Sequence, residues 1–337
     1  MKQKRTVELL DWLTAHFNAQ NIHLTPLTGD AGFRRYFRFS IHGRSYIAVD
    51  APVKLSNNQA FVSVQQSLQQ ANINVPAIIA LDLTHGFMCL SDFGDDLLAT
   101  TLNQKNMRHY YQLALTELNK MQGCPNAVLD ALPLYDEAFI RTELALFSQW
   151  LLIEHLDIEL TLAEQAQLEH CFSLLVSAIV EQPKVFMHRD YHSRNIMLLA
   201  DDRLGIIDFQ DAVKGPIIYD LVSLLRDCYL RWPNALIEPL LEDYRQRAQK
   251  LVPELSISKQ QWQYWFDLTG LQRHIKASGI FARLHHRDNK PAYLADIPLT
   301  LRYIQDVSQQ YPQLSFLYQL VTERVIPALA SKQSHHD

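Results

Sequence analysis

Paired cysteines are missing from this chain: Cys89, Cys124, Cys171 and Cys228 stand far apart, with no C-x-x-C spacing. Zinc-finger and dithiol-exchange chemistry therefore have no signal here, and buried free thiols in a reducing cytoplasm are expected. An apolar run long enough for a bilayer is missing too, so no membrane partner is expected. The basic start of MKQKRTVELLDWLTAHF has the look of a leader only briefly, because Glu8, Asp11 and His16 interrupt its apolar segment. An amphipathic helix is the expectation there. Positive charge is not in excess: 31 Lys and Arg against 36 Asp and Glu give a net charge of -5, which leaves no footprint for nucleic acid. Internal repeats and low-complexity linkers are also lacking.

What remains is the composition of a globular protein, 48% hydrophobic and 20% charged over 337 residues, long enough for two lobes. After the first helix, FRRYFRFSI (33–41) and RSYIAVDAP (44–52) flank the turn His42-Gly43 and predict a β-hairpin. The stretch 57–72 carries Phe61, Val64 and Leu68 at helical spacing, and 75–83 and 86–94 read as two more strands. From residue 96 the rhythm is helical. It is clearest over 161–182, where Leu168, Cys171, Phe172, Leu175 and Ile179 form one stripe that Pro183 ends. The expectation is an α+β fold with a small N-terminal lobe of antiparallel sheet (1–95) and a larger, mainly helical C-terminal lobe (96–337).

One stretch breaks the helical rhythm. MHRDYHSRN (187–195) leads into NIMLLADDRLGIIDF (195–209), two short apolar runs around Asp201-Asp202-Arg203 that predict a tight hairpin. Such a hairpin holds its ends together, so that Asp190 and Asn195 before it can face Asp208 after it. A carboxylate beside an attacking hydroxyl, with an amide and a second carboxylate holding Mg²⁺ on phosphates, is the set that phosphoryl transfer from a nucleotide requires.

HRDYHSRN followed by IIDF resembles the catalytic segment of the kinase superfamily. The resemblance implies a two-lobed protein-kinase-like fold, with ATP and Mg²⁺ as cofactors. Asp190 would orient the hydroxyl and take its proton, with His188 and His192 beside it in the catalytic loop, and Asn195 and Asp208 would bind the metal. His192 stands two residues after Asp190, where aminoglycoside and choline kinases resemble this chain. No D-F-G is present, and only about ten residues separate Asp208 from the next predicted helix, IIYDLVSLLRDCYL (217–230), too few to seat a protein substrate. Asp220 in that helix matches an aspartate that braces the catalytic loop in related kinases; its bland alternative is a first-turn acid favoured by the helix dipole. A second His-Arg-Asp in LHHRD (284–288) has Tyr293 five residues on and no hairpin, and is expected to be a helix end.

TGDAGFRRYFRF (28–39) occupies the place of a glycine-rich nucleotide loop, with Gly29, Asp30 and Gly32 in the turn. Ser91, Asp92 and Phe93 in LSDFGD would then form the hinge against an adenine. The strand that carries a phosphate-binding lysine in related kinases reads YIAVDAP, and helix 57–72 has no acid to pair with one. Both partners are missing together, which avoids a lone charge in a cleft. Phosphate contact is expected to pass to Arg34, Arg35 or Lys54.

GDAGFRRYFRF, VDAP, HRDYHSRN, IDFQDAVKGPIIYDLVSLLRD and LQRHIKASGIFARL together resemble the aminoglycoside-phosphotransferase-like family, and within it the bacterial anomeric kinases for N-acetylmuramate and N-acetylglucosamine of cell-wall recycling. The resemblance implies a small-molecule sugar partner and a sugar 1-phosphate product made in the cytoplasm. Gln210 and Asp211 could reach sugar hydroxyls or merely stabilise a turn. Arg273 and His274, with Lys276, could meet a lactyl carboxylate, although aromatic residues and cations on such a helix are more often core and solvated face. An aminoglycoside or amino-alcohol kinase and a non-catalytic kinase fold remain as alternatives, and the oligomeric state is not legible.

Overall fold

The computed structural model describes residues 2–27, 33–253 and 255–333. In chain order the elements are α1 (Lys2–Phe17), β1 (Thr25–Pro26), β2 (Arg35–Ile41), β3 (Arg44–Asp50), α2 (Asn58–Gln70), β4 (Ile78–Asp82), β5 (Phe87–Ser91) and α3 (Leu98–Thr101). There follow α4 (Met107–Gln122), α5 (Asn126–Leu129), α6 (Glu137–Leu146), a π-helical turn (Phe147–His155), α7 (Leu162–Val180), β6 (Lys184–Met187), β7 (Ile196–Leu198), β8 (Leu204–Ile206) and β9 (Val213–Pro216). The chain continues with α8 (Tyr219–Leu225), α9 (Asn234–Leu251), α10 (Lys259–His286), α11 (Ile297–Ser308), α12 (Ser315–Gln319) and α13 (Ile326–Gln333).

Two compact units result: Met1–Thr101 with Arg194–Asp211, and Leu102–Ser193 with Ala212–Asp337. The division is not the contiguous one expected at residue 95, because 194–211 returns to the N-terminal unit. Backbone bonds explain the excursion: Leu198 N–H donates to Asp96 C=O at 2.7 Å and Ile206 N–H to Asn74 C=O at 2.8 Å.

The first unit is built on an antiparallel sheet of order β1-β2-β3-β5-β4. His42 (φ 50°) and Gly43 (φ 75°) both lie in the left-handed region, the primed turn that matches strand twist, and they fix the register Phe39↔Tyr46 and Arg35↔Asp50. Alternation along β2 sends Phe37, Phe39 and Ile41 inward, where they bury with Leu9 and Leu13 of α1. Asp50 is fully buried at the end of β3 and accepts from Arg5 Nε at 2.8 Å and Arg35 Nε at 3.0 Å. A buried carboxylate needs such pairing.

The second unit is helical around α10, whose residues from Leu268 to Leu284 enter a core shared with α6, α7 and α11. Helix α7 starts where the sequence says it should. Thr161 and Glu164 form a capping box, with Thr161 N–H to Glu164 Oε2 at 2.8 Å and Glu164 N–H to Thr161 Oγ1 at 3.3 Å. Strands β6 and β9 pair antiparallel and carry the loop 188–193 at their end. Helix α8 is shorter than the expected 217–230, ending at Leu225 because Asp227 leaves the helix to accept from Ser193 N–H and Tyr229 N–H, both at 3.0 Å. LHHRD does end a helix, α10, at His286.

Candidate active site

In the second unit the loop after β6 is gripped at both ends by carboxylates. Asp220 accepts from His188 N–H at 2.7 Å and Arg189 N–H at 3.0 Å, so it sits under the loop as expected. Asp227 does the same at Ser193. Sequence reasoning missed Asp227, which lies beyond the end of α8, where helical periodicity no longer says which way a side chain points. Burial raises Asp220 to about 7, against the pull of the two amides.

Arg189 holds a left-handed backbone (φ 77°), uncommon for a side chain of its size, and this turn directs Asp190. Burial alone would raise the Asp190 carboxyl, but the charges of Lys276, His192, Arg273 and Arg189 outweigh it and hold Asp190 well below the usual carboxylate range. Asp190 is therefore ionised and able to accept a proton from a hydrogen-bonded hydroxyl. His188 is fully buried and its Nδ1 accepts from Asp190 N–H at 3.3 Å, so it folds the loop back on itself. His192 packs edge-on to Tyr229, ring centroids 5.2 Å apart.

Arg273 and His274 are buried in α10. Arg273 donates to Ser223 Oγ at 2.5 Å and Cys228 Sγ at 2.8 Å. His274 bonds Arg226 C=O through Nε2 at 2.9 Å and stacks on Tyr303, centroids 4.3 Å apart. Burial and the neighbouring Arg273 lower His274 to about 3, so it is neutral.

In the first unit, β7 and β8 pair with Ile196↔Ile206 in register, and Ile207 N–H donates to Asn195 C=O at 3.1 Å. The hairpin thus sets Asn195 beside Asp208, with Asn195 Nδ2 at 3.3 Å from Asp208 Oδ2. Asp208 also has a left-handed backbone (φ 64°). Gln210 donates to Asp208 Oδ1 at 2.6 Å and so orients the carboxylate; Asp211 follows on the exposed turn. Asn195, Asp208 and Gln210 border a cavity of about 240 Å³ whose walls include Ile47, Leu90, Phe93 and Met197. Apolar walls with a few polar groups suit a flat heterocycle carrying a charged tail.

A carboxylate and an amide are hard oxygen donors, and turning the Asn195 amide over presents its Oδ1 to the same point. Among the described residues no group of three or more His, Cys, Asp or Glu side chains could hold a metal. Two protein ligands of this type fit Mg²⁺, which keeps water and phosphate oxygens in its remaining positions.

Ser91, Asp92 and Phe93 line the same cavity at the end of β5. The Asp92 side chain is held by Arg38 Nε and Ser45 Oγ, both at 2.6 Å. Of the expected phosphate contacts, Arg35 is bound to Asp50 and Thr6, and Lys54 borders a separate hollow beside α2. Arg34 lies over Phe61, 5.7 Å from the ring centroid, and Phe61 in turn packs against Phe209 at 5.1 Å. Gly29, Asp30 and Gly32 lie outside the described residues.

The family model described as the phosphotransferase enzyme family matches residues 23–255. The chain belongs to this family. A protein of Pseudomonas putida named N-acetylmuramate/N-acetylglucosamine kinase is 40% identical over 89% of this chain and 88% of its own. A protein of the same name from Neisseria meningitidis serogroup B is 35% identical over 96% of each. Among solved structures, a choline kinase from Streptococcus pneumoniae superposes with a TM-score of 0.62 at 12% identity, covering 89% of this chain and 99% of that one. An ADP-bound aminoglycoside phosphotransferase superposes with a TM-score of 0.57 at 14% identity, covering 89% and 98%. At such identities the superpositions speak for the fold, which is the α+β kinase-like fold expected from the sequence. This phosphotransferase has no helix, among the described residues, that is long and apolar enough to cross a membrane.

Proposed function

We propose that this phosphotransferase moves the γ-phosphoryl group of ATP to the anomeric hydroxyl of N-acetylmuramate or N-acetylglucosamine. The observation that carries the reading is the Asn195–Asp208 pair, set by a strained backbone at the polar edge of an apolar cavity. The acceptor comes from the names of the relatives.

In this reading the acceptor oxygen bonds to Pγ, the bond from Pγ to the β,γ-bridging oxygen breaks, and the hydroxyl proton passes to Asp190. Asn195 and Asp208 would hold Mg²⁺, which would supply neutralisation of the charge on the phosphates. Gln210 keeps the Asp208 carboxylate in place. A hemiacetal hydroxyl is more acidic than an ordinary alcohol, so a carboxylate of low basicity suffices and orientation matters more. Arg34 is the cation best placed to reach phosphate, since Arg35 is neutralised by Asp50. The cytoplasm, where ATP and reduced thiols coexist, is the proposed location.

The choice of this acceptor over an aminoglycoside rests on the names of the relatives. The test is ATP consumption with magnesium over N-acetylmuramate, N-acetylglucosamine, glucose, kanamycin and choline. Turnover confined to the two N-acetyl sugars is expected. Turnover on kanamycin or choline alone would overturn the acceptor, and none at all would favour a non-catalytic role.

A further inference from the structure

Arg38 of β2 borders the cavity of the first unit together with Asp92 and Gly94, which belong to the turn after β5. Alternation along β2 turns Tyr36 and Arg38 toward that cavity, while Phe37 and Phe39 enter the core. The guanidinium is fully engaged there. Its Nε donates to Asp92 Oδ2 at 2.6 Å, its Nη1 to both oxygens of Asp95 at 2.8 Å, and its Nη2 to Asp92 Oδ1 at 3.1 Å and Gly94 C=O at 3.0 Å. Asp92 also accepts from Ser45 Oγ of β3 at 2.6 Å and from Gly94 N–H at 2.9 Å. Because β3 lies between β2 and β5 in the sheet, these bonds tie the turn after β5 to two other strands.

Asp95 is 79% exposed at its side chain, and an ion pair so open to water contributes little to stability. Asp92 differs, with a side chain only 6% exposed. Burial pushes its carboxyl up, and Arg38, Ser45 and the Gly94 amide outweigh that and hold it below the usual carboxylate range. Without Arg38 a buried carboxylate would lose its cation, and the turn would have to open to hydrate it. Packing offers little resistance at Gly94, whose backbone is left-handed (φ 84°) and where a Cβ would meet nothing within 4 Å. Ser91, by contrast, is fixed by the strands: its N–H donates to Ala77 C=O and its Oγ accepts from Ala77 N–H, both at 2.9 Å. Phe93 stands between, its ring against Gly205 and in the cavity wall. Its backbone is set from one side by Ser91 and from the other by the Arg38 bonds.

We propose that Arg38 is a positioning residue for the nucleotide: by clamping Asp92, Asp95 and Gly94 it sets the Phe93 stretch of the cavity wall against the base, and it makes no phosphate contact of its own. The inference rests on the reading of this cavity as the nucleotide's seat. Calorimetric titrations with ADP and with pyrophosphate, both in magnesium, separate base from phosphate. Arg38→Met should weaken ADP about tenfold and pyrophosphate less than about twofold, and the KM for ATP should rise about tenfold while kcat falls less than about threefold. Arg38→Lys, which keeps the charge but not the fork, should stand between the two proteins.

An Arg38→Met protein that melts lower yet binds ADP as before would reduce Arg38 to a structural part. Equal losses for ADP and pyrophosphate would make it a phosphate contact and also overturn the proposal. An unaltered protein that binds pyrophosphate but no ADP would remove the nucleotide from this cavity, and the inference with it. Should Arg38→Met not fold, Ser45→Ala, which takes one bond from Asp92 and leaves Arg38, should show the same ADP-selective loss at about threefold, and no loss would contradict the clamp.

Discussion

Asp190 and Asp208 are both aspartates on strained or strain-adjacent backbone, yet their surroundings differ and the proposed reaction gives them different work. Asp190 sits among basic groups in a braced loop, and Asp208 is tied to an amide on each side, Asn195 and Gln210. Their removal should therefore fail differently in steady-state kinetics. Asp190→Asn should lower kcat by about 10²- to 10⁴-fold, the range for loss of a general base, with the KM for ATP nearly unchanged. Asp208→Ala should raise the KM for Mg-ATP at least about tenfold and move the magnesium optimum upward. The reverse pattern would exchange the two roles. Arg34→Ala should raise the KM for ATP more than Arg35→Ala raises it, because Arg35 is already paired with Asp50; equal and negligible effects would remove Arg34 from the phosphate contacts.

At the scale of elements, the β7–β8 hairpin is the part that turns sequence into site. Its strands are three residues each, and Gly205 opposite Met197 leaves room for the Phe93 ring: a Cβ at 205 would stand 2.6 Å from Phe93 Cδ2. Gly205→Ala should displace that ring from the cavity wall and weaken nucleotide binding severalfold, read by titration with ADP. Unaltered affinity would mean that Phe93 is not part of the nucleotide's seat. This hairpin was legible because two apolar runs around Asp201-Asp202-Arg203 allow little else, and Asn195 and Asp208 are local to it. The end of α8 was not legible, since it depends on Asp227 being drawn to Ser193, 34 residues away in sequence. The pairing of Glu143 in α6 with Arg189 and Lys276 escaped for the same reason: the partners lie on other elements, 46 positions apart for Glu143 and Arg189, and periodicity shows only that such residues face inward.

At the scale of the whole molecule, two buried histidines make stability depend on pH. Burial, then the neighbouring His286 and Lys332, lower His155 to about 4, and His274 lies near 3. His155 Nδ1 is 3.1 Å from His286 Nε2, with His285, Asp157 and Lys332 around it. Unfolded, each would titrate near about 6.5. The unfolded chain therefore binds more protons below that pH, so their contribution to stability is complete above about 6.5 and is lost as pH falls toward 4 and 3. Thermal melts should show a falling midpoint from pH 7 to pH 4.5, and His155→Gln, which can still bond His286, should flatten that fall; an unchanged slope would place the acid sensitivity elsewhere. The division into units with an 18-residue return, Arg194–Asp211, puts the proposed metal ligands and the proposed base in different units joined by a short stretch of chain. The proposed reaction is transfer of the γ-phosphoryl group of ATP to the anomeric hydroxyl of an N-acetyl sugar.

The most direct test of that claim is the phosphorus NMR spectrum of N-acetylmuramate after incubation with the protein, ATP and magnesium. The account predicts a new phosphomonoester resonance coupled to the proton on C1, together with ADP in equal amount. A phosphomonoester coupled to the C6 protons, or ADP with inorganic phosphate alone, would contradict transfer to the anomeric hydroxyl.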